Sequence, residues 1–309
     1  MPRASTYPTH TEAPMDLGIH YWNFTHPDGD TAIAPHLAAT AKAADDAGLA
    51  LFSVMDHFFQ IDQMLEAEDP MLDAYTALGF VAGHTMHIPL ATVVTGVTYR
   101  HPALLAKAVT TLDVLSGGRA WLGIGAAWYE REHLGLGVPF PSLAERFERL
   151  EETLRICLQM WSDDDGVFEG THYRLAETLN RPRALGRPHP PVLIGGTGER
   201  KTLRLVAKYA DVWNVNVTEP DEIRHKIDVL RAHCEREGRD IRDIRITAQG
   251  GPLDPAADPD GFLRHAEILA ELGIQHIQVR VQQPDPVGFV GRIADDVLPR
   301  LREIRPVAL

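Results

Sequence analysis

Eight short runs rich in Val, Ile and Leu recur along the chain, separated by stretches with helical periodicity. They are DLGIHY from Asp16, LALFSVM from Leu49, IPLATVV from Ile88, RAWLGIG from Arg119, PVLIGG from Pro191, DVWNVNV from Asp211, IRITAQ from Ile244 and HIQVRV from His276. Repeated βα units of this kind build a parallel sheet. Eight of them is the count of a TIM (β/α)8 barrel, whereas a doubly wound sheet, the alternative, does not require eight. The intervening segment HPALLAKAVTTLDVLSGG spaces Ala103, Ala106, Val109, Leu112 and Leu115 three or four apart and ends on glycines, as a helix does.

No Pro/Gly-rich linker marks a second domain, so residues 15–309 are expected to form one barrel, with residues 1–14 as a flexible lead. The longest excursion, about 126–190 after the fourth strand, exceeds one crossover helix. It holds a helix over SLAERFERLEETLRICLQMW and a hairpin over GVFEGTHYRL, an arrangement suited to a lid, a binding wall or a dimerisation element. A net charge of −13 opposes nucleic acid or an anionic membrane as a partner. No run reaches the roughly 20 apolar residues of a membrane span, and the first residues lack the apolar core of a signal peptide, so a cytoplasmic protein is expected. Cys157 and Cys234 fall on helical segments without metal-like spacing and read as buried free thiols. His84 and His87 in GHTMH lack a carboxylate in register, so no metal site is expected.

In such barrels the reacting groups lie on the loops after the strands. Two glycine clusters stand there. Gly123 and Gly125 fit the first two positions of a dinucleotide fingerprint, but Trp128 occupies the third, where close helix packing requires glycine. IGGTGERKT nearly spells a phosphate-binding P-loop, yet Arg200 stands at the glycine before Lys201. Gly125-Ala126-Ala127 and Gly195-Gly196-Thr197 nevertheless leave backbone N–H groups unobstructed, which suits phosphate. Arg200 and Lys201 are expected in the first turn of a helix, where cations are of the wrong sign for the dipole unless an anion binds.

From Met15 onward the chain resembles the luciferase-like monooxygenase superfamily, in the branch that uses the deazaflavin coenzyme F420. The segments that carry the resemblance are DLGIHYW, VMDHFFQ, TVVTGVTYRHPALLAKAVTTLDVLSGGRAWLGIGAAWYERE, ERFERLEETLRICLQMW, FEGTHYRL and PVLIGGTGERKTLRLVAKYADVWN. The resemblance implies a catalytic role for His57 and Asp56, with Asp56 also beside the cofactor. It places a non-prolyl cis peptide at Val93-Val94, with Thr95, behind the cofactor ring. It implies that Gly125, Ala126, Ala127, Trp128, Tyr129 and Arg131 hold the ribityl-phosphate side, completed by Gly195, Gly196 and Thr197. His20, Trp22 and Trp213 would line the substrate side. Ala127 departs from the glycine often found there. A homodimer is the family's usual state.

A histidine near neutrality suits proton delivery as a hydride moves. FMN, the alternative cofactor, has a ring nitrogen that permits oxygen chemistry, whereas deazaflavin has carbon there and carries hydride. The resemblance therefore implies an F420-dependent oxidoreductase acting on a small organic substrate. An FMN-dependent monooxygenase, or a flavin-binding protein without turnover, are the alternatives.

Overall fold

The computed structural model describes residues 13–309 apart from 187, 250 and 252, so most of the expected lead lies outside the described residues. Eight parallel strands close into a barrel. They are β1 (Asp16–Tyr21), β2 (Phe52–Asp56), β3 (Leu90–Gly96), β4 (Ala120–Gly125), β7 (Val192–Gly195), β8 (Val212–Val215), β9 (Arg245–Gln249) and β10 (His276–Arg280), with a two-stranded hairpin of β5 (Phe168–Glu169) and β6 (Arg174–Leu175) between β4 and β7. Around the ring the order is β1-β10-β9-β8-β7-β4-β3-β2. Every residue of β2 and β4 is buried, as expected where a parallel sheet is covered on both faces. Inside the barrel Leu51, Ala91, Trp121, Leu193 and Val212 form a plug, and Val93 and Val94 pack against it.

The helices form the outer layer: α1 (Ile33–Asp46), α2 (Ala74–Ala82), α3 (Pro102–Leu115), α4 (Glu130–Leu136), α5 (Leu143–Met160), α6 (Thr202–Tyr209), α7 (Pro220–Glu237), α8 (Pro259–Glu271), α9 (Pro286–Asp296) and the short α10 (Leu298–Leu301). Local chemistry sets their ends. Ser142 accepts from the Glu145 N–H at the start of α5, and α7 opens on Pro220 and stops at Gly238 in the left-handed region, φ +65°. The excursion after β4 contains α4, α5 and the hairpin.

Two local expectations are corrected. In α3 the buried face runs through Leu105, Ala106, Val109, Leu112 and Asp113, and Leu115 falls with Leu104 and Thr111 on the opposite, solvent-facing stripe. Helix α6 begins at Thr202, so Lys201 is its N-cap and Arg200 precedes it; neither lies in the first turn. Lys201 instead sits 5.4 Å over the Phe147 ring. Both cysteines are buried free thiols, and burial raises them to about 12 at Cys157 and about 11 at Cys234. Among the described residues no helix is long and apolar enough to cross a membrane.

Strand β3 carries one residue more than its neighbours between Ala91 and Thr95. The Val93-Val94 peptide within this bulge is cis. The bulge turns the Thr92 carbonyl toward β4, where a Cβ on Gly123 would fall 1.7 Å from the Thr92 oxygen. Gly123 is thus required by the barrel wall rather than by a dinucleotide.

Candidate active site

A cavity of about 430 Å³ opens at the carboxyl ends of the strands, and all eight contribute to its lining. This is within the range of small-molecule sites. His20, His57, Val93, Val94, Gly125, Ala126, Ala127, Trp128, Gly195 and Gly196, expected from the sequence, all line it. Met55, Ile61, Met64, Leu143 and Phe147 add apolar wall. Trp128 is 56% exposed at the rim.

His57 is buried, and its Nδ1 lies 2.6 Å from Oε1 of Glu132 at the start of α4. Glu132 is fully buried (0% exposed) and also accepts from the Phe58 N–H (2.7 Å), the Phe59 N–H (3.1 Å) and the Tyr99 hydroxyl. Burial pushes this carboxyl up, but the hydrogen bonds and charge of its partners, His57 first, outweigh it and hold Glu132 below the ordinary carboxylate range. An ionised Glu132 fixes the proton on Nδ1 and leaves Nε2 as the ring nitrogen free for the cavity. Edge-on contacts from Trp128 and Tyr129, each 5.7 Å between ring centres, lock the imidazole plane.

Asp56 stands behind the wall. It is buried, pairs with Arg100, and does not line the cavity; Arg100 in turn reaches Asp73 at 2.6 Å and covers the Tyr75 ring. Asp56, expected beside the cofactor, is thus set behind the cavity wall, since successive strand and loop residues point to opposite sides and His57 takes the inward place. Thr95 also faces away, bonded to Tyr75 (2.9 Å) and Thr92 (3.1 Å). Tyr129 is buried with its hydroxyl donating to the Gln60 carbonyl, and Arg131 pairs with Asp62; neither lines the cavity. Trp213 is fully buried in the helix–barrel core and donates to the Gly196 carbonyl at 2.8 Å, while its neighbour Asn214 faces the cavity. Trp22 lies outside the cavity lining, its Nε1 donating to the Val281 carbonyl. Thr197 lies just beyond the lining and donates to Asn216.

The glycine loops have the features of a cradle for a phosphate-bearing, planar cofactor. A Cβ on Gly125 or Gly195 would fall 3.1 and 3.0 Å from the Val94 methyls, so both walls are kept thin around Val94. Among the described residues no hydrogen bond takes up the N–H of Ala126, Ala127 or Trp128. Ala127 adopts φ +61°, the region that favours glycine, and its carbonyl accepts from Arg146 at 2.9 Å. Gly196 has φ +109°, and α6 starts at the cavity-lining Thr202 without a side-chain cap. Unpaired amides in a left-handed loop beside a helix start that has no side-chain cap are the donor set of an anion site, so these residues fit the group.

His20, bonded to Ser53 at 2.8 Å, is lowered to about 3 by burial first, then by the charges of Arg280 and His57. Unfolded, it takes up its proton near 6.5, so the folded state is favoured above that pH. Stability is lost as pH falls from about 6.5 toward 3, by about 1.4 kcal/mol per pH unit for this group. Urea midpoints should drop between about pH 7.5 and about pH 5, and drop less in His20→Gln; equal slopes would remove His20 from this role.

Glu132, Tyr99, Asn214 and Arg280 were not among the site residues expected from the sequence. Glu132 lies in the very segment WYERE that drew attention, but its partner is 75 positions earlier, and no local pattern announces that pairing.

A sequence profile described as luciferase-like monooxygenase matches residues 15–283. The chain belongs to that family. Like this luciferase-like chain, an uncharacterized protein of Mycobacterium tuberculosis spans nearly the full length, 30% identical over 282 residues (86% of this chain, 94% of the relative). The F420-dependent glucose-6-phosphate dehydrogenase of Amycolatopsis mediterranei is 25% identical over 318 residues (87% and 95%). The FMNH2-dependent dimethylsulfone monooxygenase of Pseudomonas putida is 30% identical over 170 residues (55% and 46%). Among solved structures, the coenzyme F420-dependent tetrahydromethanopterin reductase of Methanopyrus kandleri shares the fold, with a TM-score of 0.74 at 18% identity, covering 94% of this chain and all of that one.

Proposed function

We propose that this luciferase-like protein is an F420-dependent oxidoreductase acting on a small organic substrate, with His57 as its proton donor or acceptor. The observation that carries the reading is the Glu132-anchored His57, whose free nitrogen is left for a cavity that also contains the phosphate-fitting loops. The choice of F420 is supported by coverage. Of the relatives named above, the F420-dependent dehydrogenase aligns along 87% of this chain, and the FMNH2-dependent monooxygenase along 55%.

A bound deazaflavin supplies two-electron hydride transfer without oxygen chemistry. The chain's own residues do the rest. Val93 and Val94 form a shelf on the barrel plug, with Gly125 and Gly195 thin enough beside it for a flat ring. The amides of Ala126, Ala127 and Trp128 and the start of α6 would hold an anionic side chain of the cofactor. Met55, Ile61, Met64 and Phe147 exclude water, which strengthens the electrostatics of the site. His57 Nε2 passes a proton to or from the substrate, while Glu132 keeps the ring oriented and stabilises its charged form.

The partial likeness to the FMNH2-dependent enzyme supports the second reading, a reduced-flavin monooxygenase. A tryptophan-fluorescence titration separates the two, because Trp128 stands half exposed on the cavity. Tight, salt-sensitive binding of F420 with weak binding of FMN is expected. A preference for FMN would move the protein to oxygen chemistry, and binding of neither would overturn the reading.

A further inference from the structure

Among the described residues, those that line the cavity include no Asp or Glu, although the chain carries 43 of them. They include one Lys or Arg, which is Arg280 at the end of β10. Among the described residues no carboxylate lies within ion-pair distance of its guanidinium; the group instead spreads over the Trp22 ring, 5.8 Å from its centre. Trp22 is itself fixed by its bond to the Val281 carbonyl, 3.1 Å, so the cation rests on an anchored platform. A guanidinium stacked on an indole keeps its in-plane donors open to an oxyanion.

Its place in the barrel separates Arg280 from the cofactor cradle. In the ring of eight strands, β10 stands four places from β4 in either direction, directly across from the Gly125 loop. Next to it in the ring stands β1 with His20, and one strand further β2 with His57 just beyond its end. The buried His20 feels the charges of both Arg280 and His57, and all three line the cavity. With His20 held neutral by burial, Arg280 is the one Lys or Arg among the described residues that faces the cavity.

We propose that the substrate is a small organic anion, and that Arg280 on its Trp22 platform binds the substrate carboxylate while the reacting carbon lies toward His57. The apolar wall of Met55, Ile61 and Met64 fits the hydrocarbon part of such a molecule. Arg280 is thus the specificity-determining residue, and the acid-free lining avoids repulsion of the same anion. The inference rests on the cavity being the substrate site of an oxidoreductase.

The test compares hexanoate with hexanamide, two chains of equal length that differ in charge, by calorimetric titration of the whole protein alone and after addition of F420. Hexanoate should bind at least about tenfold more tightly than hexanamide, and Arg280→Gln should erase that preference while leaving hexanamide unchanged. Arg280→Lys should keep part of it, since a point charge remains without the bidentate fork. Equal binding of the two probes to the unaltered protein would overturn the proposal. So would an Arg280→Gln variant that binds hexanoate normally, or one that loses F420 affinity more than about threefold, which would assign the cation to the cofactor instead. Discrimination for hexanoate without binding of F420 or FMN would sink the proposed cofactor chemistry and leave the anion site standing. Cofactor binding with no discrimination would do the reverse.

Discussion

Gly123→Ala is expected to leave little or no folded barrel. The added Cβ would lie 1.7 Å from the Thr92 carbonyl oxygen and 2.9 Å from its carbon, and both are backbone atoms locked in the β3 bulge. A flexible side chain could swing aside; a strand inside a closed barrel cannot. Overpacking usually costs about 1–3 kcal/mol, and a backbone clash in the wall should exceed about 4 kcal/mol, a large part of the stability of any domain. Gly79 in α2 supplies the contrast. It is exposed, and its added Cβ meets nothing within 4 Å. Gly79→Ala should therefore stabilise the helix by roughly 0.5–1 kcal/mol. Urea denaturation of the two variants checks both; a Gly123→Ala protein with the parent's midpoint would refute the close approach of β3 and β4.

His57→Ala should lower turnover by about 10²- to 10⁴-fold, the usual worth of a positioned general acid or base, with cofactor affinity changed by no more than a few-fold. Glu132→Gln keeps the shape of the network but removes the charge that fixes the imidazole, so turnover should fall substantially while the protein stays folded. Glu132→Ala should do more. It strands the donors of His57, Tyr99, Phe58 and Phe59 in a buried site, at a cost of about 3–5 kcal/mol in stability. Steady-state kinetics and thermal melts of the three variants separate the roles. Full turnover in His57→Ala would place the proton source elsewhere, and an unchanged melt in Glu132→Ala would mean that the network contributes nothing.

The barrel was legible in the chain because parallel strands buried on both faces appear as unbroken apolar runs, and each of the eight runs overlaps a strand. The α5 helix over SLAERFERLEETLRICLQMW and the hairpin over GVFEGTHYRL were also legible, and the structure has Leu143–Met160 and the Phe168–Leu175 strand pair there. Side-chain direction was less so. Trp213 and Asn214 are adjacent on β8, and period two sends the tryptophan to the core and the asparagine to the cavity. The same alternation sets Asp56 behind the wall and His57 in front of it. Pairings over long sequence distance left no local trace: Glu132 meets His57 across 75 positions, and Arg280 meets Trp22 across the closure of the barrel at β1 and β10. Gly123 was visible as a glycine, but its reason lies in the Thr92 carbonyl of a neighbouring strand.

The most direct measurement of the proposed activity is the reoxidation of reduced F420 by the purified protein in an oxygen-free cuvette, against a panel of carbonyl, enone and imine acids. Protein-dependent recovery of the oxidised F420 absorbance with at least one acceptor, abolished in His57→Ala, is the predicted result. Reduced F420 that stays reduced with every acceptor, alongside protein-dependent oxygen uptake with reduced FMN, would contradict it.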